Sequence, residues 1–516
     1  MRRLLALALA ALLALTGCAA GEEEPPADSW EQYQQQGLPE EETPSVQEDA
    51  GPEYPAAFSL PYHRGHTLDP ITCGEGMQED VASLLFEPLF QLDEHFQPVP
   101  VLCESYEWDE KGLVCTLTLR QDVTFHDGTA LTAEDVAATL RRAMASERYG
   151  YRLRGMAGVA ADRSGRVRIT LSAPNQGLPA LLDIPIVKRG TEDLAVPTGT
   201  GPYRLAEDGG SLVPHESWWQ GKALPLASIP LVHAKDRDTA RYLFSSRRVQ
   251  LLTVDPTDDL AAVTGQSQST ARPTSILQFI GFNTGEGSVF ASPSARAAFS
   301  RGIPRETLVS AQLAGLALAA EFPVSPLSSL YPADLALGYD KDVTLAALRA
   351  AGQGTGQQRE LTLLVNGEDR FRLTSAQFIA ENLSLLDWKI VVQALPWEEY
   401  LAALEAGAFD LYYGEVRLTA DWDLTDLLGT GGGLNYGGYT DPTTDLLLQS
   451  FLAAPQENRS AAARQLMVHL QEVCPIAPIC FKNNSVLTHP GVAEGICPTA
   501  SSTFFRLEGW TVHLSQ

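Results

Sequence analysis

Apolar and polar positions follow two different periods in the first half of the chain. Residues 113–119 alternate between apolar and polar side chains, which predicts a strand. After a loop, apolar residues recur at helical spacing behind Thr132, and Glu134 and Asp135 place acids in the first turn. The pattern therefore predicts an amphipathic helix over residues 133–145, with Thr132 as its N-cap.

The second half predicts alternating strands and helices. Strands are expected over residues 361–365, 388–395 and 409–414, and helices over residues 374–386 and 397–406. Such alternation favours a mixed or parallel sheet with flanking helices. The fold class predicted from periodicity is therefore α/β.

Two further helices are predicted from their boundary residues. Pro304 suits the first position of a helix that runs to about Leu318. Asp340 caps a second helix, and Gly352 is its expected stop.

The N-terminal sequence is typical of an export signal. Arg2 and Arg3 precede an unbroken apolar run over residues 4–15. At ~1.5 Å per residue this run spans ~18 Å, too short for a ~30 Å hydrocarbon core. The run ends in Leu15-Thr16-Gly17-Cys18, which resembles the bacterial lipobox. We expect residues 1–17 to be removed and Cys18 to be lipidated, and the alternative is a plain secretory signal with an unmodified Cys18.

An acidic tract follows Cys18. Residues 19–57 hold eleven Asp and Glu, six prolines and no Lys or Arg. Such a composition cannot bury enough apolar surface to offset the chain entropy of folding. Residues 18–57 are therefore expected to be a disordered tether, and an acidic binding tail is the alternative. The protein is then extracytoplasmic, at the cell surface or in the periplasmic space, and the lipid is its only membrane anchor.

Length and charge narrow the function classes. The 516 residues suggest two or three domains, since one domain usually holds ~100–200. A formal net charge of −27 argues against nucleic acid as a partner, because phosphate binding needs clustered cations. The negative charge that remains on the folded body favours neutral or cationic solutes over polyanions.

Six cysteines follow Cys18 and leave fifteen disulfide connectivities open, with buried thiols as the alternative. They are Cys73, Cys103, Cys115, Cys474, Cys480 and Cys497. Cys103 and Cys115 flank a predicted hairpin that turns at residues 109–112. Simple register places Cys115 opposite Tyr106, so a disulfide between Cys103 and Cys115 would need a bulge.

No enzyme motif is present, so we expect no catalytic residue, no cofactor and no metal site. The sequence has no G-x-S-x-G elbow, no H-E-x-x-H and no phosphate-binding loop. His63 and His66 form the one close histidine pair, to be weighed as a metal site or as plain polar surface. His126-Asp127-Gly128 invites a catalytic interpretation, but a turn before a capped helix explains it better.

A series of short motifs runs in order along the body of the chain. They are Leu68-Asp69-Pro70, residues 83–89 (SLLFEPL), 100–106 (PVLCESY), 119–129 (LRQDVTFHDGT), 131–136 (LTAEDV), 199–203 (GTGPY), 279–284 (FIGFNT), 338–340 (GYD) and 348–352 (LRAAG). In this order the motifs resemble the extracellular solute-binding proteins of family 5, the peptide, oligopeptide and nickel receptors of bacterial ABC importers. The resemblance covers nearly all of residues 58–516.

The resemblance implies a large, type II-like clamshell of the periplasmic-binding-protein kind. By analogy, the first lobe covers residues 58–277 plus 477–516 and carries an inserted subdomain at about 75–195. The second lobe covers residues 278–476.

Crossover strands near residues 276–284 and 475–482 would form the hinge. The implied mechanism is ligand capture by lobe closure and docking on a membrane permease, without chemistry. We expect a monomer.

The resemblance also suggests ligand contacts in the second lobe. Peptide-binding members carry an Asp that pairs with the α-amino group of the ligand, and Asp421 matches it through Ala420-Asp421-Trp422. The Trp that normally precedes this Asp is absent here, and a helix N-cap is the alternative role for Asp421. Trp422 is a neighbouring candidate. Arg417 offers a guanidinium for a peptide carboxylate, or it is paired within its own acidic loop.

Two more groups of residues are candidate ligand contacts. Asn435 and Tyr436 lie in a glycine-rich loop where the family often has these residues, with a plain surface turn as the alternative. Tyr62, His63 and His66 precede Leu68-Asp69-Pro70, in a region that faces the cleft in relatives.

The expected function is a lipid-anchored receptor that captures di- or oligopeptides for an ABC permease. Nickel chelates, haem and oligosaccharides are alternative ligands within the same class. A sensory lipoprotein that uses the same clamshell without transport is the alternative from another class.

Overall fold

The computed structural model describes residues 54–257, 263–313, 315–350, 360–384 and 389–515. The expected export signal, Cys18 and all but the last residues of the tether lie outside these ranges, as does Gly352. Among the described residues, no helix combines the length and the apolar composition that a membrane span requires.

The described residues form strands and helices along the whole body. The strands are β1 (Leu60–Tyr62), β2 (Phe90–Leu92), β3 (Pro98–Pro100), β4 (Cys103–Trp108), β5 (Val114–Leu119), β6 (Met156–Ala161), β7 (Val167–Leu171), β8 (Tyr203–Leu205), β9 (Ser211–Pro214), β10 (Ile229–His233), β11 (Leu251–Val254), β12 (Gln268–Phe282), β13 (Ala317–Ala319), β14 (Glu360–Asn366), β15 (Lys389–Leu395), β16 (Leu411–Arg417), β17 (Ile476–Thr488), β18 (Ala493–Glu494) and β19 (Thr511–Val512). The α-helices are α1 (Met77–Leu85), α2 (Ala133–Met144), α3 (Arg237–Ser245), α4 (Pro293–Arg301), α5 (Arg305–Leu313), α6 (Lys341–Ala350), α7 (Arg370–Ser384), α8 (Trp397–Glu405), α9 (Thr425–Leu428), α10 (Pro442–Ala453) and α11 (Gln456–Val473).

Three larger sheets organise these elements. The first has the strand order β1-β10-β9-β8, and the second, β4-β5-β7-β6, is antiparallel throughout. The third has seven strands in the order β11-β17-β12-β16-β14-β15, with β13 paired to β17. Mixed sheets with flanking helices confirm the predicted α/β class.

The strand–helix–strand prediction for the second half is confirmed. Strand β14 runs parallel to both β15 and β16, and α7 and α8 are the connecting helices. Helix α7 begins at Arg370 instead of residue 374, because Asp369 caps its first turn by accepting a 2.9 Å hydrogen bond from the Arg372 amide.

The predicted helix starts are confirmed where the capping residue directly precedes the helix. The Thr132 hydroxyl and the Asp135 carboxylate form a reciprocal capping box at α2, and Asp340 accepts a 2.9 Å hydrogen bond from the Val343 amide. Helix α5 begins directly after Pro304 but ends at Leu313, because residues 317–319 leave the helix and pair with β17 as a strand.

The predicted hairpin is present, but its register differs from the expectation. Cys115 lies opposite Trp108 and not Tyr106, because the turn closes through a 3.0 Å hydrogen bond from the Asp109 amide to the Val114 carbonyl. A bulge lies between Cys103 and Ser105. The six cysteines of the described residues are all unpaired thiols, and of these only Cys497 is exposed.

The GTGPY motif packs the first sheet onto α1. A Cβ added at Gly199 would come within 2.1 Å of the Leu85 carbonyl oxygen, so a side chain there is excluded. The Thr200 hydroxyl donates to the buried Glu87 carboxylate at 3.0 Å. The interpretation of His126-Asp127-Gly128 as a turn is confirmed, since the Gly128 amide donates to the Phe125 carbonyl at 2.8 Å.

The seven-stranded sheet is covered on both faces. Leu277 and Phe279 of β12 point into one core with α8, α10 and α11, whereas Ile280 and Phe282 point into a second core with α4, α5 and α7. Strands β12 and β17 pair along most of their length, but their register shifts between Pro273 and Leu277. The sequence segments that meet at this irregularity line a cavity.

Candidate functional site

The cavity has a volume of about 480 Å³ and lies where distant parts of the chain converge. The start of α1, the turn after α2, helix α3, the end of β11, the irregular stretch of β12 and the end of β16 all contribute lining residues. Such a volume falls within the ~300–1,000 Å³ that small-molecule sites occupy.

One wall carries two arginines on a tyrosine. The guanidinium groups of Arg148 and Arg152 lie 5.2 and 4.9 Å from the Tyr149 ring centroid. Arg148 also pairs with Glu79 at 2.8 Å, and Arg152 pairs with Asp183 at 2.6 Å. Ring stacking and ion pairing together hold both guanidinium groups in defined orientations.

The lining of the cavity also contains a thiol and a carboxylate whose pKa values are shifted in opposite directions. Burial raises the pKa of the Cys73 thiol to about 11, although Arg148 lies nearby and opposes the shift. Burial would raise the pKa of Asp255 too, but the Lys482 ammonium 3.1 Å away lowers it below its ordinary value. Asp255 is therefore an ionised, already paired carboxylate, and Cys73 is a neutral thiol.

Arg417 is the one sequence-predicted ligand contact that lines this cavity. It ends β16 and leaves 62% of its side chain exposed, with its guanidinium 3.8 Å from the Glu75 carboxylate. Pairing within the acidic loop, the alternative to a ligand contact, is not found among the described residues, where the carboxylate partner is Glu75 in the segment before α1.

Asp421 and Trp422 are packed inside the protein and do not line the cavity. The Asp421 carboxylate is 3% exposed and accepts a 2.7 Å hydrogen bond from the Asn175 side chain. Burial raises its pKa. The Trp422 ring lies edge-on to Phe96 and Phe481, with centroids 5.2 and 5.9 Å apart. In this arrangement neither side chain is accessible to a ligand.

Asn435 and Tyr436 also lie away from the cavity. The Asn435 side chain donates to the carbonyls of Gly429 and Tyr439 at 3.0 and 2.7 Å, and accepts from the Tyr439 amide. It thus ties its own loop together. Tyr436 packs partly buried beside Tyr412. The geometry favours a structural role for both side chains.

Tyr62, His63 and His66 cluster at the end of β1. Tyr62 is buried in the core of the first sheet. The imidazole rings of His63 and His66 stack with centroids 3.6 Å apart, and His233 of β10 lies edge-on to His63. None of them lines the cavity, and no set of three His, Cys, Asp or Glu within the described ranges is arranged to hold a metal ion.

Sequence reasoning found Arg417 but missed the other arginines of the cavity. Residues 141–154 contain five arginines and a single acid in a chain where acids outnumber basic residues 64 to 37. That local reversal of charge was the available signal. Helix α3 adds Arg237 and Arg241, which also line the cavity.

Comparison with known proteins identifies the family. The family model described as bacterial extracellular solute-binding proteins, family 5 Middle, matches residues 97–432. The glutathione-binding protein of Salmonella typhi is 26% identical over 390 residues, which cover 70% of this chain and 76% of that protein.

Two solved structures show the same fold. The periplasmic murein tripeptide binding protein in its unliganded open form is 20% identical, with a TM-score of 0.73 over 90% of this chain and 99% of the other. The nickel ABC transporter protein from Bacillus halodurans is 21% identical, with a TM-score of 0.73 over 87% and 98%.

The predicted fold class is thereby confirmed as the two-lobed clamshell of periplasmic binding proteins. Members of the matched family are extracytoplasmic substrate-binding proteins that work with ABC permeases, and the family is not one of enzymes. Because its model covers well over half of the sequence, this chain belongs to the bacterial extracellular solute-binding proteins of family 5.

Proposed function

We propose that this protein is a lipid-anchored receptor that captures a di- or oligopeptide and hands it to an ABC permease. Family membership supplies the role of substrate-binding protein. The peptide, the lipid anchor and capture by lobe closure are the parts that need experiment.

The cavity is the observation that carries the proposal. It is lined jointly by the region expected to be inserted (Arg148, Tyr149), by helix α3 and by Arg417 at the end of β16. A ligand held there touches parts of the chain that are assigned to different lobes, so binding energy favours their closure. Every peptide carries a carboxylate, and guanidinium groups bind carboxylates through paired hydrogen bonds.

The relatives support a peptide over other solutes. One is named for glutathione, which is a tripeptide, and another for a murein tripeptide. Another similar structure is named for nickel, so a nickel chelate is the competing ligand. Haem and oligosaccharides remain alternatives within the same class, and signalling without transport is the alternative outside it.

The lobe boundaries belong to the proposal as well. We assign residues 58–277 plus 477–516 to one lobe, with an insertion at about 75–195, and residues 278–476 to the other. The register shift between Pro273 and Leu277 lies close to the first boundary, and β17 crosses the second. A hinge at this register shift would leave the hydrogen bonds between β12 and β17 intact on either side of it.

Native mass spectrometry of the purified protein tests the ligand, since a bound peptide adds its mass to the chain. We expect di- to pentapeptides to raise the melting temperature through preferential binding to the folded state. A shift with a nickel chelate, haem or a sugar, and none with peptides, would reject the peptide and leave the receptor role standing. Unchanged peptide uptake after deletion of the gene would favour the sensory alternative.

Metabolic labelling with palmitate tests the anchor. The wild-type chain should be labelled and remain with the membrane fraction, whereas Cys18→Ser should be unlabelled and released. Equal labelling of both would reject Cys18 as the lipidated residue.

A further inference from the structure

We infer that the ligand is an acidic peptide, with more carboxylates than ammonium groups. The inference rests on the proposed capture of peptides and adds the charge of the substrate. It follows from the side chains around the cavity, which run against the formal net charge of −27 of the whole chain. The lining has six arginines, Arg148, Arg152, Arg237, Arg241, Arg272 and Arg417, and four acids, Glu75, Glu79, Asp183 and Asp255.

Each lining carboxylate already contacts a cation. The N–O distances are 2.8 Å for Glu79 with Arg148, 2.6 Å for Asp183 with Arg152, 3.1 Å for Asp255 with Lys482 and 3.8 Å for Glu75 with Arg417. At Glu79, Asp183 and Asp255, a cationic ligand would therefore have to displace a resident Arg or Lys before it gained a carboxylate partner. The cost of leaving that displaced cation unpaired works against such ligands.

Two of the lining arginines, Arg237 and Arg417, by contrast keep donors available. Each guanidinium has five N–H donors, and a monodentate ion pair uses only one or two of them. The Arg237 side chain is exposed and makes no ion pair or hydrogen bond with another described residue. Arg417 has its single carboxylate partner at 3.8 Å and remains largely exposed. A ligand carboxylate can thus bind without breaking an existing pair.

Arg237 and Arg417 line the same cavity, so a ligand that fills it can contact both. Arg237 begins α3, next to the first sheet, and Arg417 ends β16 of the seven-stranded sheet. A peptide with two or more carboxylates gains a second pairing that a simple zwitterionic peptide cannot make. Within a cavity, where water is partly excluded, each such pair is stronger than at an open surface. The local excess of positive charge also steers anionic solutes toward the cavity.

Titration calorimetry with three matched tripeptides tests the charge. The probes are Glu-Ala-Glu, its neutral isostere Gln-Ala-Gln, and Lys-Ala-Lys. We expect Glu-Ala-Glu to bind at least tenfold more tightly than Gln-Ala-Gln, with an advantage that shrinks as salt is added. Lys-Ala-Lys should bind most weakly.

Substitution of single arginines identifies the side chains that cause the preference for acidic peptides. Arg237→Gln and Arg417→Gln should each reduce the Glu-Ala-Glu advantage several-fold, because Glu-Ala-Glu loses more affinity than Gln-Ala-Gln when one guanidinium is removed. Arg464→Gln is the matched control, since Arg464 is an exposed arginine paired with Asp334 outside the cavity. Equal affinity for Glu-Ala-Glu and Gln-Ala-Gln overturns the inference and leaves peptide capture intact. If no peptide of any charge binds, capture and the inference both fail.

Discussion

Asn175 donates a 2.7 Å hydrogen bond from its side-chain amide to the Asp421 carboxylate, across 246 positions of sequence. The contact joins the loop after β7 to the loop after β16. The Asp421 backbone carbonyl accepts a further hydrogen bond from Arg459 of α11 at 2.7 Å. Asp421 is therefore a junction between three segments.

Asp421→Ala should lower stability and leave ligand selectivity unchanged. We expect a loss of about 1–3 kcal/mol in the free energy of unfolding, because the Asn175 amide loses a buried partner. Chemical denaturation measures the loss, with exposed Asp193→Ala as the control. Family resemblance predicts the opposite pattern, in which free-amine peptides bind more weakly, N-acetylated peptides bind as before and stability is unchanged.

Two glycines of the seven-stranded sheet should not tolerate alanine. A Cβ at Gly281 would lie 2.1 Å from the Tyr412 ring, and one at Gly414 would lie 2.4 Å from the Phe279 ring. Each ring covers the glycine opposite it on the neighbouring strand. Either Gly→Ala change should cost about 1–3 kcal/mol of stability by overpacking. In Gly158→Ala, where nothing lies within 4 Å, stability should change by less than about 0.5 kcal/mol.

Lys482 links two carboxylates at the register shift between the paired strands β12 and β17. Its ammonium lies 3.1 Å from Asp255 and 3.8 Å from Glu415. Lys482→Met should cost about 3 kcal/mol of stability, because it leaves Asp255 without a cation in a half-buried position. A double-mutant cycle with Asp255→Asn should show a coupling of at least about 1 kcal/mol. Strict additivity of the two changes would contradict this link.

The His126 imidazole should make stability depend on pH. Burial and the neighbouring His215 lower the pKa of His126 to about 4, well below the value near 6.5 of an unfolded histidine. The unfolded chain then binds the extra proton between these pH values, so stability falls as the pH drops below 6.5. At pH 5 the loss relative to pH 7 should be about 2 kcal/mol.

His126→Gln isolates this contribution. The variant should lose less stability than the wild type between pH 7 and pH 5, as measured by urea denaturation at each pH. Gln retains a donor for the Gly201 carbonyl, which lies 3.2 Å from the His126 ring nitrogen. The same pH dependence in both proteins would show that His126 is not the group that titrates.

Local patterns in the sequence determined the elements. The Thr132 capping box, the strand–helix–strand order from β14 to β16 and the helix start at Pro304 each depend on residues within one or two turns of each other. Periodicity and capping report such short-range chemistry directly. The ordered motifs added the family, because each appears as a continuous stretch of sequence.

Tertiary structure alone decided which side chains form the site. Asp421 matches a ligand-binding motif, yet Asn175 and Arg459 bury it, and neither neighbour is close to it in sequence. Arg148, Arg237 and Arg417 meet at one cavity only because long strands and three separate sheets bring their segments together. Burial and convergence depend on contacts between distant segments, and a local pattern contains no information about them.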